Sequence, residues 1–237
     1  MIDILTPDRD AAMRAYYEQR AAEYDEWYRR EGRFINRPDP ERWHAEVALL
    51  RERVATFGYG RLLEIAAGTG WWTQHLARRA AVTAIDYAPA MLARLDARLH
   101  AAGVQADCLR ADAYQLPLVP ASFDCCFFGF WLSHVPYARL PEFLGELRRV
   151  IRPGGRVMVV DSAPAQPDEA PGVEYLHERI LNDGSRHAVL KILHTPATIG
   201  AALEPLGRVV EAWGTGKFFT GAIVEVAFSY MSHPHAS

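Results

Sequence analysis

The sequence predicts an α/β fold, a mostly parallel sheet with helices on both faces, on three observations. From Arg61 to Asp161 short apolar runs alternate with amphipathic segments, and that rhythm builds parallel strands joined by right-handed helical crossovers. The first run, Leu62-Leu63-Glu64-Ile65-Ala66-Ala67-Gly68-Thr69-Gly70, ends in a small-residue loop that opens into a helix. The second, Val82-Thr83-Ala84-Ile85, ends on Asp86, at the carboxyl edge where open sheets of this class bind ligands.

The elements follow in order. Residues 8–31 carry Tyr16, Tyr17, Ala21, Tyr24, Trp27 and Tyr28 at three- and four-residue spacing, one face of a helix. Gly32 and Arg37-Pro38-Asp39-Pro40 break it, and a second helix is expected from Glu41 to Phe57. Neither fits the sheet rhythm, so residues 1–58 read as a helical cap and 59–237 as the core. Strands are expected at 61–66, 82–86, 104–109, 123–128 and 156–161, with helices near 71–80, 89–102 and 136–151. The helix from Pro89 has proline in its first turn and Met91, Leu92, Leu95 and Leu99 on one face. After Asp161 the rhythm stops. Residues 162–193, with Pro164, Pro167, Pro171 and Gly172, are too long for a simple connection and are expected to form a lid or binding loop. Thr195-Pro196 opens a helix to about Leu206, and two final strands are expected at 208–213 and 218–228.

The glycine loop has the character of a ligand site. Gly68 and Gly70 lack Cβ and let the backbone pass close to a bound molecule. A carboxylate at Asp86 is placed to accept from both hydroxyls of a ribose, which points to adenosine. A dinucleotide site requires a third glycine and a bare helix terminus for its pyrophosphate. Here Thr73 stands at that position, behind Trp71 and Trp72, and Glu64 suits a cation better than a phosphate. S-adenosylmethionine carries an ammonium and a sulfonium and no phosphate, so it fits better than NAD.

Five segments in order then resemble the class I S-adenosylmethionine-dependent methyltransferases of the small-molecule type. They are Glu64 to Gly70, Asp86-Tyr87-Ala88-Pro89-Ala90-Met91-Leu92, Ala111-Asp112-Ala113-Tyr114-Gln115-Leu116-Pro117, Ser122-Phe123-Asp124-Cys125-Cys126-Phe127-Phe128 and Arg152-Pro153-Gly154-Gly155. The resemblance implies a Rossmann-like seven-stranded sheet with an antiparallel last strand and an N-terminal helical lid. It implies S-adenosylmethionine as cofactor, S-adenosylhomocysteine as product, and a small-molecule methyl acceptor. Asp112 would meet the adenine amino group and the Ala113 N–H a ring nitrogen, with Ala66, Tyr87, Met91 and Phe128 beside them and Tyr16 and Tyr24 closing over the cofactor. In Phe130-Trp131-Leu132-Ser133-His134-Val135-Pro136, Trp131 and His134 would face the acceptor, with His134 the candidate base. Tyr175, His177, Trp213 and Phe218 are expected to complete that pocket, and His187, Lys191 and Lys217 carry weaker claims. The aromatic content suggests a flat aromatic or heterocyclic metabolite methylated on N or O. An NAD(P)-linked oxidoreductase and a non-catalytic S-adenosylmethionine-binding protein are the alternatives.

Composition narrows the partners. The 237 residues are 50% hydrophobic and 23% charged with a net charge of −3, an ordinary globular balance that offers nucleic acid no basic face. Met1 to Asp8 lacks a signal-peptide pattern, and no apolar run approaches the ~20 residues of a membrane span, so a cytoplasmic monomer or homodimer is expected. No His, Cys or carboxylate pair has metal-ligand spacing, so no metal is expected. Cys108, Cys125 and Cys126 all fall in expected strands and read as small buried hydrophobes.

Overall fold

The computed structural model describes residues 7–227, with side chains from Asp10 onward. The opening residues of the expected cap and the last residue of the expected 218–228 strand lie outside that range. Seven strands form the main sheet: β1 Arg61–Ile65, β2 Ala81–Asp86, β3 Asp107–Arg110, β4 Phe123–Gly129, β5 Ile151–Ser162, β8 Gly207–Gly214 and β9 Phe219–Val226. Their order is β3-β2-β1-β4-β5-β9-β8, with the first five parallel and β9 inserted antiparallel between β5 and β8. The helices are α1 Pro7–Arg20, α2 Glu26–Arg29, α3 Pro40–Thr56, α4 Thr73–Leu76, α5 Pro89–Ala102, α6 Leu140–Val150 and α7 Pro196–Leu203.

Strand alternation divides the core into two layers. Ile65 lies between Ile85 and Phe128 in the sheet, and these side chains pack with Phe143 and Leu147 of α6 and Ile199 of α7. Leu62, one residue out of phase with Leu63, points to the opposite face. There Val82, Phe127 and Cys125 meet Leu50 and Val54 of α3 and Leu95 of α5. A parallel sheet needs cover on both faces. The near-continuous apolar runs of β1 and β4 are the sequence record of it.

At the carboxyl edge the backbone is strained. Ala66, just after β1, and Phe130, just after β4, have φ of 53° and 60°, a left-handed conformation uncommon outside glycine and concentrated at functional sites. These two turns belong to neighbouring strands, and the cleft between them is the expected ligand crevice.

Four local expectations change. The single helix expected over 8–31 breaks after Arg20 and resumes at Glu26, because the Asp25 carboxylate is held by the Thr69 hydroxyl at 2.6 Å and by Arg98. The helix after the glycine loop shrinks to Thr73–Leu76, flanked by turns; Trp72 turns inward, while Trp71 stacks on Tyr28 with ring centroids 4.3 Å apart. The 162–193 insertion is not a simple loop: β6 Glu174–Ile180 and β7 Arg186–Ile192 form an antiparallel hairpin. Its turn runs through Asn182-Asp183-Gly184, with Gly184 at φ 87°, the turn chemistry such a hairpin needs. Cys108 is exposed on the edge strand β3, while Cys125 and Cys126 are buried. Among the described residues no helix is long and apolar enough to cross a membrane.

A buried ion pair locks the hairpin to the sheet. Lys191 of β7 reaches Asp161 of β5 at 3.3 Å and donates to the Ser133 and Ser162 hydroxyls at 2.7 and 3.2 Å. Asp161 also accepts the Ser133 and Ser162 backbone N–H groups at 2.8 and 2.7 Å. Both charges are out of water, so removing one leaves the other uncompensated at a cost of about 3–5 kcal/mol. Asp161→Ala is therefore expected to lower the melting temperature by on the order of 10 °C. Asp161→Ala with Lys191→Met is expected to recover part of that loss, as differential scanning calorimetry will read.

Candidate functional site

The carboxyl edge of β1, β2 and β4 opens into a cleft. Its floor is the glycine loop. Ala66 and Gly68 line it directly, and Gly68 at φ 56° donates its N–H to Asp86 at 2.8 Å. The other Asp86 oxygen accepts from the Ala88 N–H at 2.9 Å. Burial pushes the Asp86 carboxyl up, and these N–H groups oppose the push by stabilising the charged form. The loop is tied from outside as well: Arg98 Nε donates to the Thr69 carbonyl at 2.8 Å while its guanidinium pairs with Asp25.

Glu64 lies beneath this floor, 1% exposed. One of its carboxylate oxygens, Oε2, is buried with no hydrogen-bond partner. Burial pushes its pKa up to about 8; the Thr73 hydroxyl opposes that shift and the Asp86 charge adds to it. It is an acid that lacks a counter-cation.

The opposite end is apolar and aromatic. Tyr87 after β2, Met91 in the first turn of α5, Asp112 and Ala113 after β3, and Trp131 after β4 line it. Asp112 accepts the Tyr114 N–H at 3.0 Å and pairs with Arg14 at 2.5 Å. Arg14 also stacks on the Tyr87 ring at 3.8 Å. Helix α1 thus straps the cleft. Asp10, Met13, Arg14 and Tyr17 line its inner wall, at the i, i+3, i+4, i+7 spacing of one helix face.

His134 closes the far wall. Its Nδ1 lies 2.6 Å from the Leu190 carbonyl oxygen, which fixes that nitrogen as the donor. Nε2 then accepts from the Tyr17 hydroxyl at 2.8 Å. Burial first, and then the Lys191 charge, pull its pKa down to about 3 against the pull of Asp161, so the ring is neutral. Both ring nitrogens are engaged.

The expected site residues sort by this geometry. Tyr24, Ala66, Gly68, Asp86, Tyr87, Met91, Asp112 and Ala113 line the cleft together, with His134 at its wall. Tyr16 does not. It is buried against Leu181, Val189 and the His187 ring, and Tyr17, the next residue, takes the place expected for it. Gly70 does not line the cleft either: at φ 75° it packs on Leu95, where an added Cβ would come within 3.0 Å. Phe128 faces α6, 5.3 Å from Phe143. Trp131, expected beside the acceptor, stands at the Asp112 end against Tyr114 and Phe143. Trp213 packs over Gly221 within the β8–β9 pair and beneath Arg53, away from the cleft. Tyr175, His177 and Phe218 do come together, in an adjoining outer recess. Lys217 pairs with Asp39. Sequence reading missed Arg14 and Tyr17, although their spacing from Asp10 and Met13 carried the signal.

The relationships agree with the geometry. A model of the family described as "Methyltransferase domain" matches residues 62–155. The chain is similar to the ubiquinone/menaquinone biosynthesis C-methyltransferase UbiE of Syntrophotalea carbinolica, 31% identical over 196 residues, which is 81% of this chain and 77% of that protein. It is also similar to the demethylmenaquinone methyltransferase of Thermus thermophilus, 37% identical over 118 residues; that match spans 48% of this chain and about half of the relative's length, 52%. Among solved structures, the DhpI-SAM-HEP complex superposes with a TM-score of 0.74 at 27% identity, covering 92% of this chain and 98% of that one.

Glu64 gives the cleft a measurable signature. A carboxyl whose folded pKa is raised binds its proton more tightly folded than unfolded, so it destabilises the fold increasingly as pH rises from its ordinary 4.5 toward about 8. Glu64→Gln removes that ionisation. The unliganded variant is expected to melt several degrees above the parent at pH 8 and close to it at pH 4.5, as parallel thermal melts will show.

Proposed function

Because the chain belongs to the class I S-adenosylmethionine-dependent methyltransferases, we propose that it transfers the methyl group of S-adenosylmethionine to a small-molecule acceptor and releases S-adenosylhomocysteine. The observation that carries the reading is the pair of opposed ends in one cleft. Asp86, Asp112 and the Ala113 N–H suit a nucleoside, and 22 residues before Asp86 the unpartnered acid Glu64 underlies the glycine loop, suited to the cationic amino-acid end. A pyrophosphate would find no complementary charge above Glu64, which argues against a dinucleotide.

The residues divide the work. Asp86 would hold the ribose hydroxyls, Asp112 and Ala113 the adenine edge, and Tyr87, Met91 and Trp131 its faces. Ala66 and Gly68 would lie along the amino-acid end, and Tyr24 above it. When bound, S-adenosylmethionine supplies a methyl carbon on a positively charged sulfur, open to attack by an acceptor lone pair while the sulfur retains the electrons of the broken bond. Alignment and exclusion of water are then the protein's main tasks, worth ~7–11 kcal/mol when geometry is well held. Tyr17, Phe130 and Trp131 wall the cleft against water.

The acceptor is read from what remains free. Trp27 is packed edge-on against Tyr28, Trp43 and Phe130, and Phe218 against Trp43. These rings are engaged with one another, which weakens the case for a flat aromatic acceptor. His134, hydrogen-bonded at both nitrogens and neutral, positions Tyr17 rather than removing a proton from the acceptor. A nucleophile already carrying its lone pair, an amine or an anionic oxygen, suits such a site.

Two measurements test the reading. Hydrogen bonds to a charged group contribute ~1.5–3 kcal/mol, so Asp86→Ala is expected to weaken S-adenosylhomocysteine binding about tenfold to a hundredfold by calorimetry. Equal affinity in a folded Asp86→Ala protein would remove Asp86 from the cofactor site. The strap formed by α1 is expected to act as a lid, since Arg14 and Tyr17 reach the cleft from it. Amide exchange over residues 10–20 should slow when S-adenosylhomocysteine is added; an unchanged rate would make α1 fixed scaffold.

A further inference from the structure

Beside the cofactor cleft the protein gathers positive charge for which it supplies too little counter-charge. A narrow compartment shares Tyr17, Tyr24, Phe130 and His134 with the cleft and adds Arg20, Arg179, Lys191 and Ser162. Lys191 is balanced by Asp161. Arg20 and Arg179 are not: among the described residues neither forms an ion pair. Arg20 is buried, its guanidinium on the ring faces of Tyr24 at 4.7 Å and Tyr16 at 5.6 Å. Burial and the nearby Arg20 charge pull the pKa of Arg179 down.

The charge continues outward. The recess next to this compartment holds Arg30, Arg37 and His177 and again Arg179 and Lys191. Arg30 is buried with its Nε unpartnered, and the Nδ1 of His177 is also buried without a partner. One carboxylate, Glu169, lines the recess, and an oxygen of it accepts the Ala165 and Gln166 N–H groups at 2.6 and 2.9 Å. Glu23 and Glu178 line a further recess with Arg20 and Arg179, but Glu178 pairs with Arg186, Glu23 accepts the Asn182 N–H at 2.8 Å, and among the described residues neither forms an ion pair with those two guanidiniums. No carboxylate lines the inner compartment.

Two desolvated guanidiniums beside each other are costly unless an anion joins them, and guanidinium forks match the oxygens of a tetrahedral oxyanion. We propose that the methyl acceptor carries a dianionic oxyanion group, phosphonyl or phosphoryl, held between Arg20 and Arg179 with the Ser162 hydroxyl. The acceptor is then a small organic phosphonate or phosphate monoester. The charge count favours two negative charges over the single charge of a carboxylate. The compartment's shared wall places such a molecule next to the reacting end of the cleft. An anionic oxygen also needs no base, in keeping with a His134 whose nitrogens are both occupied.

This inference rests on the methyltransferase reading, and the experiment separates the two. The full chain, first saturated with S-adenosylhomocysteine in a phosphate-free buffer, is titrated calorimetrically with ethylphosphonate, ethyl phosphate and propionate. Saturable one-site binding is expected for the first or both of the phosphorus compounds, at least tenfold tighter than for propionate. Arg179→Gln and Arg20→Gln are each expected to weaken that binding about tenfold to a hundredfold, with S-adenosylhomocysteine affinity within twofold of the parent. Arg179→Lys, which keeps the charge without the fork, is expected to recover part of the loss, and it carries the test if the glutamine variant fails to fold. Absence of phosphonate binding to the loaded protein, equal affinity for propionate, or unchanged affinity in the arginine variants would overturn the proposal and leave the cofactor reading intact. Failure of S-adenosylhomocysteine itself to bind would overturn the underlying reading.

Discussion

The buried contact between Lys191 and Asp161 organises the functional half of the molecule. It joins the end of β5 to β7, and through Ser133 to the turn that follows β4. His134 hangs from that turn and is fixed by the Leu190 carbonyl, one residue before Lys191. Tyr17 is oriented by His134, so the position of α1 over the cleft is referred back to the same pair. A buried ion pair is weak evidence of stability by itself. Its service here is registry: three segments remote in sequence converge on one charge pair.

The cleft and the neighbouring compartment have opposite electrostatic demands. On the proposed reading, Asp86 in the cleft wall and the unpartnered Glu64 beneath it suit a molecule with positive charge, and Arg20, Arg179 and Arg30 in the neighbouring spaces suit negative charge. Tyr17, Tyr24 and Phe130 stand at the boundary. A cationic donor and an electron-rich acceptor drawn to adjacent sites gain orientation from the field before any contact is optimised. Strained backbone at Phe130 marks that boundary, and at Ala66 the floor of the cleft.

The parallel core was legible because its signals are local. Apolar runs, a glycine loop and an acid at a strand end are each contained within a few residues, and β1, β2, β4 and α5 lie where the pattern puts them. The hairpin in the insertion was concealed because its strands, with Leu176, His177 and Val189 among charged neighbours, lack a clean alternation; only the Asn-Asp-Gly turn betrays it. Tyr16 and Tyr17 could not be separated by spacing alone, since adjacent helical residues differ by a rotation that only packing against Val189 and Leu181 decides. The uncompensated arginines were invisible for a related reason. Arg20 and Arg179 are far apart in the chain, and the absence of a partner is a property of three dimensions.

One cleft, floored by Ala66 and Gly68 and strapped by α1, is expected to receive the cofactor in a single orientation. A crystal structure of the protein with S-adenosylhomocysteine decides it. The ribose is expected on Asp86, the adenine against Asp112 and Ala113, and the amino-acid end above Glu64 with the sulfur facing the Tyr17–His134 wall. Density for the ligand outside this cleft, or reversed within it so that adenine covers Glu64, would contradict that orientation.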